Sequence, residues 1–408
     1  MPQSTVATQR TGPTPAIPHL DIDPFSEAFL TNPYGFHDQM REAGPVCWLS
    51  QYGIWATARH QECATVLKDF DTFCSSAGVG LANFKTEKPF RPPSLVLEAD
   101  PPAHTKARTV LARAMSQKSV AALQDHFERD ADRLIDALLD RRDIDGVADV
   151  AVAYPLKVFP DAVGMGEAGR ENLLAYGNLV FNVFGPDNWL RRQALEISAE
   201  VHDWIMRHCA REALSADGIG DTIYRAVDTG EVTADEAGLL VRSLLTAGID
   251  TTVAGIGNAL LCFAEHPEQW ELLRQDPGQA KHAFEEVLRF EAPVQTFFRT
   301  STKAADLSGA AIAPDEKILL FLGAGNRDPR RWDHADRFDI TRRPSGHLAF
   351  GTGIHRCVGQ RVAQMEGEII LRKLAERVER IVPNGVATRR LNNTLRTLET
   401  LPLRLHAA

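Results

Sequence analysis

Paired cysteines, long hydrophobic runs and an excess of positive charge are all missing from this sequence of 408 residues. The most apolar short run, at residues 318–322, is far too short to cross a bilayer. The formal net charge of −9 argues against general nucleic-acid binding, which needs a basic face. The six cysteines contain no C-x-x-C pair and lie at Cys47, Cys63, Cys74, Cys209, Cys262 and Cys357. Isolated cysteines in an acidic chain of this kind indicate a reducing, cytoplasmic setting. The short apolar run and the negative charge predict that neither a membrane nor a nucleic acid is a partner.

Sequence signatures of an attached redox cofactor are absent as well. No glycine-rich dinucleotide fingerprint follows a predicted strand, and no cysteine set has iron–sulfur spacing. Residues 1–18 are rich in Pro, Thr and Gln and lack the apolar segment of a signal peptide, which predicts a flexible tail. Residues 19–408 contain no internal repeat, and a hydrophobic fraction of 44% for the whole chain is enough to build one large domain.

Hydrophobic periodicity predicts a mainly helical chain with a few short hairpins. Residues 46–57 alternate as a hairpin does, and residues 307–322 predict a second hairpin that turns at Pro314 and Asp315. Apolar side chains recur every three or four positions from 117 to 142, which predicts one continuous helix. Further helices are predicted after Pro102, from Asp276 and Pro277 onward, and from Gly359 to about Arg380.

The clearest predicted helix begins at a capping box formed by Thr233 and Glu236. It is expected to end near Glu265, before a proline. Its centre is unusual, because residues 247–252 read A-G-I-D-T-T where a buried helix should be apolar. A carboxylate and two hydroxyl groups in that position indicate a functional site.

Residues 350–359 read F-G-T-G-I-H-R-C-V-G and surround Cys357 with the features that a thiolate ligand needs. A metal-bound thiolate must stay deprotonated and shielded from bulk water. Glycines let the backbone approach the sulfur and direct N–H groups at it, and the positive end of the following helix also favours the anion. The alternative is a buried structural cysteine in a glycine loop. The complete pattern resembles the haem-binding sequence of the cytochrome P-450 family.

The resemblance to this family begins near residue 45 and extends over most of the chain. It implies a mainly α, single-domain cytochrome P-450 fold, a triangular helical prism with small β-sheets. Haem b would lie between the long central helix and the C-terminal helix, with Cys357 on the iron and Phe350 packed against the haem. The side chains that match the family's propionate contacts are His104, Arg108, Arg299 and His355.

The family's acid–alcohol pair corresponds to Asp250 and Thr251 in the central helix. The resemblance implies that these two residues deliver protons to dioxygen and are the catalytic residues, while Gly248 leaves space for the oxygen. The alternative for Thr251 is a mid-helix threonine whose hydroxyl bonds back to a backbone carbonyl.

The family's E-x-x-R pair corresponds to Glu286 and Arg289, and Arg337 fits its third member. The resemblance implies a buried cluster of three charges that supports the proximal side of the haem. Taken alone, a Glu and an Arg three residues apart are more often a solvated helix pair.

Four segments resemble the bacterial P-450s that oxidise para-substituted benzoates, at residues 91–95, 181–186, 240–245 and 293–299. Phe90 and Val183 depart from that subfamily, where Trp and Ala are expected. A planar aromatic acid needs apolar walls, and it needs cations or donors for its carboxylate because an unpaired buried charge is costly. The expected substrate contacts are Arg91, Ser94, Leu95, Phe181, Phe184, Arg242, Ser243, Ala247 and Phe297. The two arginines of this set either contact the carboxylate or line the entrance.

These resemblances imply a monooxygenase that uses O2 and two external electrons. The expected reaction is oxidative O-demethylation of 4-methoxybenzoate-type acids, which gives 4-hydroxybenzoate-type products and formaldehyde. A [2Fe-2S] ferredoxin and an FAD-dependent NADH ferredoxin reductase would supply the electrons, with Arg356 and Arg361 as candidate docking residues or ordinary solvated arginines. Hydroxylation of another aromatic acid or a terpene, peroxide-driven fatty-acid oxidation and a haem-thiolate sensor are the alternatives.

Overall fold

The computed structural model describes residues 17–408, so the predicted tail lies outside the described residues except for its last two positions. The α-helices are α1 Glu27–Thr31, α2 Tyr34–Ala43, α3 His60–Lys68, α4 Ala103–Ala114, α5 Gln117–Ala121, α6 Gln124–Arg141, α7 Ala153–Val163, α8 Glu171–Val183, α9 Trp189–Glu196, α10 Ser198–His208, α11 Ile219–Asp228, α12 Ala234–Glu265, α13 Pro267–Gln275, α14 Ala280–Phe290, α15 Leu322–Asn326 and α16 Gln360–Arg377. The strands are β1 His19–Leu20, β2 Cys47–Leu49, β3 Ile54–Thr57, β4 Phe73–Cys74, β5 Asp143–Asp145, β6 Thr296–Ser301, β7 Ala305–Leu307, β8 Ala310–Ile312, β9 Lys317–Phe321, β10 Val378–Pro383, β11 Thr388–Arg390, β12 Thr397–Thr400 and β13 Pro402–Ala407.

Helix α12 is the central element of the molecule, as the sequence predicts. Its 32 residues extend about 48 Å, and the predicted capping box forms, with Thr233 accepting from Glu236 N and the Glu236 carboxylate accepting from Thr233 N. The helix packs against α7, α8, α11, α14 and α16. By length and composition alone α12 could span a membrane, but 72% of its apolar window is buried inside the protein. The hydrophobic surface of α12 therefore packs inside the protein core.

The β-structure is more extensive than the predicted hairpins. A six-stranded sheet has the order β1-β2-β3-β9-β6-β4, in which β1 and β2 are parallel and so are β3 and β9. The predicted hairpin at 46–57 is confirmed as β2 and β3. Smaller antiparallel sheets join β10, β13 and β5, then β11 with β12, and β7 with β8.

The hairpin predicted at residues 307–322 is wrong. The chain turns earlier, at Ser308 and Gly309, which both have positive φ and let β7 pair with β8. Strand β9 then pairs with β6 and β3 in the large sheet. All five residues of β9 are buried, so tertiary burial between neighbouring strands decides its pairing.

Three helix boundaries also differ from the prediction. The helix expected at 117–142 is two helices, α5 and α6, because Leu123 N bonds to Val120 O in a tighter turn between them. The segment at Pro277 is a short 3-10 turn, and α14 begins only at Ala280. The last helix, α16, ends at Arg377 because the chain enters β10, which pairs with β13.

Candidate active site between helix α12 and the Cys357 loop

The loop before α16 has the conformation that its glycines predict. Gly351 and Gly353 have φ of +64° and +73°, a region that residues with a Cβ rarely adopt. A Cβ on Gly353 would lie 2.6 Å from the Leu67 carbonyl oxygen, so the loop packs closely on α3. The backbone N–H of Cys357 donates to the Phe350 carbonyl at 2.9 Å and closes the loop. These contacts fix the direction of the Cys357 side chain.

The sulfur of Cys357 faces a large cavity beneath α12. Cys357 keeps accessible surface where it lines the cavity, although protein surrounds its sulfur, whereas the other five cysteines are buried. Burial raises the pKa of the Cys357 thiol above its ordinary value, while backbone N–H groups of Gly359 and Gln360 and the guanidinium of Arg108 act in the opposite direction. The donors come from the first residues of α16 and its cap. They stabilise a thiolate at this position, as predicted from the helix that follows the loop.

Arg108, Arg299 and His355 line one edge of this cavity, and His104 packs against His355 without lining the cavity itself. Arg299, on β6, is buried, and its guanidinium donates only to the Phe298 carbonyl, at 2.8 Å. Burial lowers the pKa of Arg299 to about 10. The rings of His104 and His355 lie 4.5 Å apart, and within residues 17–408 the buried Nε2 of His104 has no hydrogen-bond partner, while Nε2 of His355 lies 3.6 Å from an Asp100 carboxylate oxygen. Arg108 lines the cavity beside them. These groups leave an anion-binding edge with unsatisfied donors.

The other wall of the cavity is the middle of α12. Ala247 and Thr251 face the cavity one turn apart, and the Thr251 hydroxyl donates to the Ala247 carbonyl at 2.7 Å. Thr251 therefore makes the hydrogen bond to a backbone carbonyl that is expected of an ordinary mid-helix threonine. Its hydroxyl oxygen can still accept a hydrogen bond through its lone pairs. Gly248 lines the cavity, and a Cβ there would meet the ring of Phe159, which lines the cavity as well. The glycine therefore makes room for this side chain of α7, and the space for dioxygen beside it stays a prediction.

Asp250 points away from the cavity, toward α8. Both carboxylate oxygens are buried without a hydrogen-bond partner, and a Cβ on Gly177 would lie 2.2 Å from Oδ2. The nearest cation is Arg390, with 3.9 Å between its Nη2 and Oδ1 of Asp250. Burial raises the pKa of Asp250 to about 7, and the positive charge of Arg390 opposes that rise. Asp250 can therefore exchange a proton near neutral pH.

A polar cluster lies at the far end of the cavity from Cys357. Arg91 pairs with the buried carboxylate of Glu98 at 2.9 Å. Arg242 is also buried; its Nη2 donates to the Pro92 carbonyl at 2.8 Å, and its Nη1 has no partner. The hydroxyl oxygens of Ser94 and Ser243 lie 3.1 Å apart. The serines and both arginines line the cavity as predicted.

Three phenylalanines form the aromatic wall that the sequence predicts. The rings of Phe181 and Phe184 meet edge-on at 6.0 Å, and those of Phe184 and Phe297 at 6.1 Å. All three line the cavity. Leu95 packs against the core and is not among the cavity-lining residues of the described chain. Its predicted contact with substrate is not supported.

Phe90 and Val183 are the two residues that depart from the benzoate-oxidising pattern. Neither lines the cavity in the part of the chain that the structure describes. Phe90 stacks on the guanidinium of Arg91 at 5.3 Å. Val183 is buried in the core on α8. Neither substitution therefore changes the side chains that a ligand in the cavity would meet.

The charge cluster on α14 forms with a different third member from the one predicted. Glu286 and Arg289 are both fully buried and pair at 2.8 Å. The second guanidinium on Glu286 belongs to Arg342, with 3.2 Å between Nε and Oε1. Arg337 is exposed and contributes only its carbonyl, which accepts from Arg289 at 3.0 Å. The assignment of Arg337 is wrong because the chain turns after Phe338 and returns Arg342 to the carboxylate.

Several site residues were not identified from the sequence. Glu98 lies four residues after Ser94 and could have been noticed as a partner for a buried arginine. Phe159, Gly177 and Arg390 come from distant segments, and only packing brings them to α12. No spacing rule connects these segments to the central helix.

The fold and the cavity-facing cysteine define a haem-thiolate protein, and comparison with known proteins gives the family. A family model described as Cytochrome P450 matches residues 171–404. The chain is 54% identical over 393 residues to the protein named Cytochrome p450 CYP199A2 of Rhodopseudomonas palustris, covering 96% of this chain and 95% of that protein. The chain belongs to the cytochrome P450 family and is a monooxygenase.

Solved structures agree with this assignment. Cytochrome P450 CREJ in complex with (4-ethylphenyl) dihydrogen phosphate has a TM-score of 0.85 and 25% identity, with 94% of this chain and 99% of that chain covered. Cytochrome P450 CYP109Q5 from Chondromyces apiculatus has a TM-score of 0.79 and 29% identity, with 95% and 99% covered. The predicted cytochrome P-450 fold is confirmed.

Members of this family bind haem b through a cysteine thiolate, and haem b is the cofactor of this chain. The residues present fit that group. Cys357 is the one cysteine of residues 17–408 that reaches the cavity. Arg108, the buried Arg299 and His355 line the cavity and are suited to two propionates, with the His104 ring packed beside His355.

Proposed function

We propose that this monooxygenase removes the methyl group from para-methoxybenzoate-type aromatic acids, giving 4-hydroxybenzoate-type products and formaldehyde. The observation that carries the proposal is the buried guanidinium of Arg242, which lines a mostly apolar cavity and whose Nη1 has no hydrogen-bond partner in the described part of the chain. When bound, the haem supplies dioxygen activation and the transfer of one oxygen atom. The residues of the chain bind and orient the acid, exclude water and deliver protons.

The polar end of the cavity favours an anionic ligand. Two guanidiniums, Arg91 and Arg242, are buried there with one carboxylate, Glu98. A ligand carboxylate would compensate the remaining positive charge, which is costly to bury alone. Ser243 donates to the Leu239 carbonyl at 2.8 Å, so in the 3.1 Å contact between the two serines the Ser94 hydroxyl donates to Ser243, and a ligand carboxylate would take over this donor. We infer that Ser94 and Arg242 hold the substrate carboxylate.

The long axis of the site runs along α12, from the polar cluster to Thr251. Ser243 and Thr251 are eight positions apart, so about 12 Å of helix separates them. That length suits a single benzene ring with substituents at opposite ends. Phe181, Phe184 and Phe297 would contact the ring, and Ala247 leaves space beside the para substituent. A carboxylate held at one end thus directs a para-methoxy group toward Cys357.

Asp250 and Thr251 are proposed to deliver the protons that the reaction consumes. Thr251 presents its oxygen to the cavity, and Asp250 is buried behind it with a pKa of about 7. Arg390 is partly exposed and provides a route from solvent to Asp250. The buried carboxylate can take up a proton on that side and pass it toward Thr251 through small movements of its side chain.

Bacterial members of the family generally receive electrons from separate redox proteins. For this chain we propose a [2Fe-2S] ferredoxin, reduced by an FAD-dependent NADH ferredoxin reductase in the cytoplasm. Arg356 and Arg361 are exposed next to the Cys357 loop, where an acidic ferredoxin would meet local positive charge. The net charge of −9 makes such a patch necessary for an acidic partner.

A paired-ligand titration tests the substrate assignment. Spin-state titrations of the haem-loaded enzyme would compare 4-methoxybenzoate with its methyl ester, in the native protein and in Arg242→Met. We expect Arg242→Met to weaken the acid by about tenfold or more and to change ester affinity little, because only the acid uses the charge. Arg343→Met, an exposed arginine remote from the cavity, is the control.

Turnover with NADH and redox partners should then release formaldehyde in proportion to the phenol formed. Tighter binding of unsubstituted terpenes than of para-substituted benzoates would contradict the proposal. Equal losses of acid and ester affinity in Arg242→Met would contradict the role of Arg242.

A further inference from the structure

A second group of potential ligands lies outside the haem cavity, where α6 meets α7. His126 and Asp130 are one turn apart on α6, and Asp161 is on α7. Their ligand atoms, Nε2 of the histidine and one oxygen of each carboxylate, lie within 4.8 Å of one another. A small surface depression beside them is lined by His126, Asp161, Glu212 and Ser215. None of these side chains takes part in the proposed monooxygenase reaction.

The distances match the dimensions of a tetrahedral zinc site. His126 Nε2 is 3.2 Å from Asp130 Oδ2 and 3.4 Å from Asp161 Oδ2. Ligands bound at about 2.0–2.1 Å to a tetrahedral ion lie about 3.4 Å from each other. A neutral imidazole and two carboxylates are a common ligand set for such ions, with a water or a fourth side chain completing the coordination.

A separate observation concerns the buried carboxylate of Asp130. Asp130 is 7% exposed, and within residues 17–408 its Oδ2 makes no hydrogen bond; the 3.2 Å contact with His126 Nε2 is an ion pair only if the imidazole is protonated. The other oxygen of Asp130 pairs with Arg133. A buried carboxylate oxygen without a donor is costly, and a bound cation would satisfy it. We propose that His126, Asp130 and Asp161 form a binding site for a divalent transition metal ion such as Zn²⁺, which would join α6 to α7.

The charges around the site make its affinity sensitive to one lysine. Asp161 already accepts from the buried Arg170 at 2.6 Å, and Lys157 Nζ lies 3.2 Å from Asp161 Oδ2, the same oxygen that would bind the metal. Lys157 is half exposed and competes directly with an incoming ion.

Zinc binding to the haem-loaded enzyme would be measured by equilibrium dialysis against ZnCl₂ in chelator-free buffer. We expect one equivalent on the native protein, loss of that equivalent in His126→Asn and Asp161→Asn, and retention in His282→Asn, an exposed histidine on α14. Lys157→Met should bind zinc up to about tenfold more tightly, since it removes a competing cation. Zinc should also raise the unfolding temperature of the native protein and not that of His126→Asn.

Two outcomes would overturn the proposal. Absence of zinc binding to the native enzyme would mean that His126 serves as a protonated bridge between the two carboxylates. Retention of the bound equivalent in both His126→Asn and Asp161→Asn would place the ion elsewhere. Because His126 is partly exposed and lies on a surface, its substitution should leave the haem spectrum and the fold intact.

Discussion

Asp250 and Arg242 lie about two turns apart on α12, and each is buried with its charge incompletely compensated. The carboxylate of Asp250 has only the distant Arg390 and a pKa of about 7. The guanidinium of Arg242 shares its surroundings with Arg91, and burial lowers its pKa. At the scale of single residues, the proposed function depends on these two groups: Arg242 would pair with the substrate carboxylate, and Asp250 would take up and release a proton.

Replacing Arg390 tests the proton route at this scale. Its positive charge favours the ionised form of Asp250, so Arg390→Met should raise the pKa of Asp250 further above 7. The acidic limb of the kcat profile against pH should then move to higher pH, while substrate affinity in a spin-state titration stays unchanged. Arg390→Lys should restore the native profile. Superimposable profiles for the native enzyme and Arg390→Met would exclude Arg390 from the route.

At the scale of secondary-structure elements, side-chain clusters hold α14 and the neighbouring chain beneath the cavity. Arg289 donates to the carbonyls of Asn326, Ala335 and Arg337 as well as to Glu286. Glu286 also accepts from the backbone of Asp339 at 3.1 Å. This cluster therefore fixes the segment that leads into the Cys357 loop.

The corrected third member of this cluster gives a matched pair of variants. Arg342→Met removes a charge-assisted hydrogen bond to the fully buried Glu286, which should lower the free energy of unfolding by about 1.5–3 kcal/mol. Arg337→Met alters an exposed side chain and should change the free energy of unfolding by about 0.5 kcal/mol or less. Urea unfolding followed by circular dichroism measures both. A larger loss in Arg337→Met would reinstate the assignment made from the sequence.

At the scale of the whole molecule, Glu291 connects segments that are distant in sequence. It follows α14 and accepts from Tyr34 near the N-terminus, from Arg327 at 3.0 Å and from Arg396 at 2.7 Å. Arg389 lies 3.4 Å away. Burial would raise the pKa of Glu291, but the three arginines hold it at about 2. The native contact between these four chain segments therefore requires that the carboxylate of Glu291 is ionised.

Glu291→Gln should destabilise the fold strongly at neutral pH. The variant leaves three arginines around an uncharged side chain, and loss of a buried charge partner costs about 3–5 kcal/mol. The folded pKa lies below that of the unfolded chain, so the contribution is present above about pH 4.5 and is lost as the pH falls toward 2. Urea unfolding should give a larger difference between native protein and variant at pH 7 than at pH 3.5, where the contribution has begun to fall but is still more than half present. Glu379→Gln, at an exposed position, is the control. An equal difference at both pH values would contradict this origin of stability.

Features that depend on local backbone geometry were predicted from short, contiguous sequence patterns. The capping box of α12, the glycine conformations before Cys357 and the hairpin of β2 and β3 were all predicted correctly. Predictions failed where a distant segment determines the structure. Strand β9 pairs with β6 and β3, and Arg342 reaches Glu286 in place of Arg337.

The sequence by itself determined the cysteine loop, the central helix and the family, because each depends on residues close together along the chain. Only the tertiary structure decided which charges are compensated. Arg91 and Arg242 have the same predicted role, yet packing gives Glu98 to the first and leaves Nη1 of the second unpaired. The same packing aims Asp250 at Gly177 and Arg390, away from the cavity that Thr251 faces. Burial and partners are set by the whole fold, so the ionisation of these groups cannot be determined from their order along the chain.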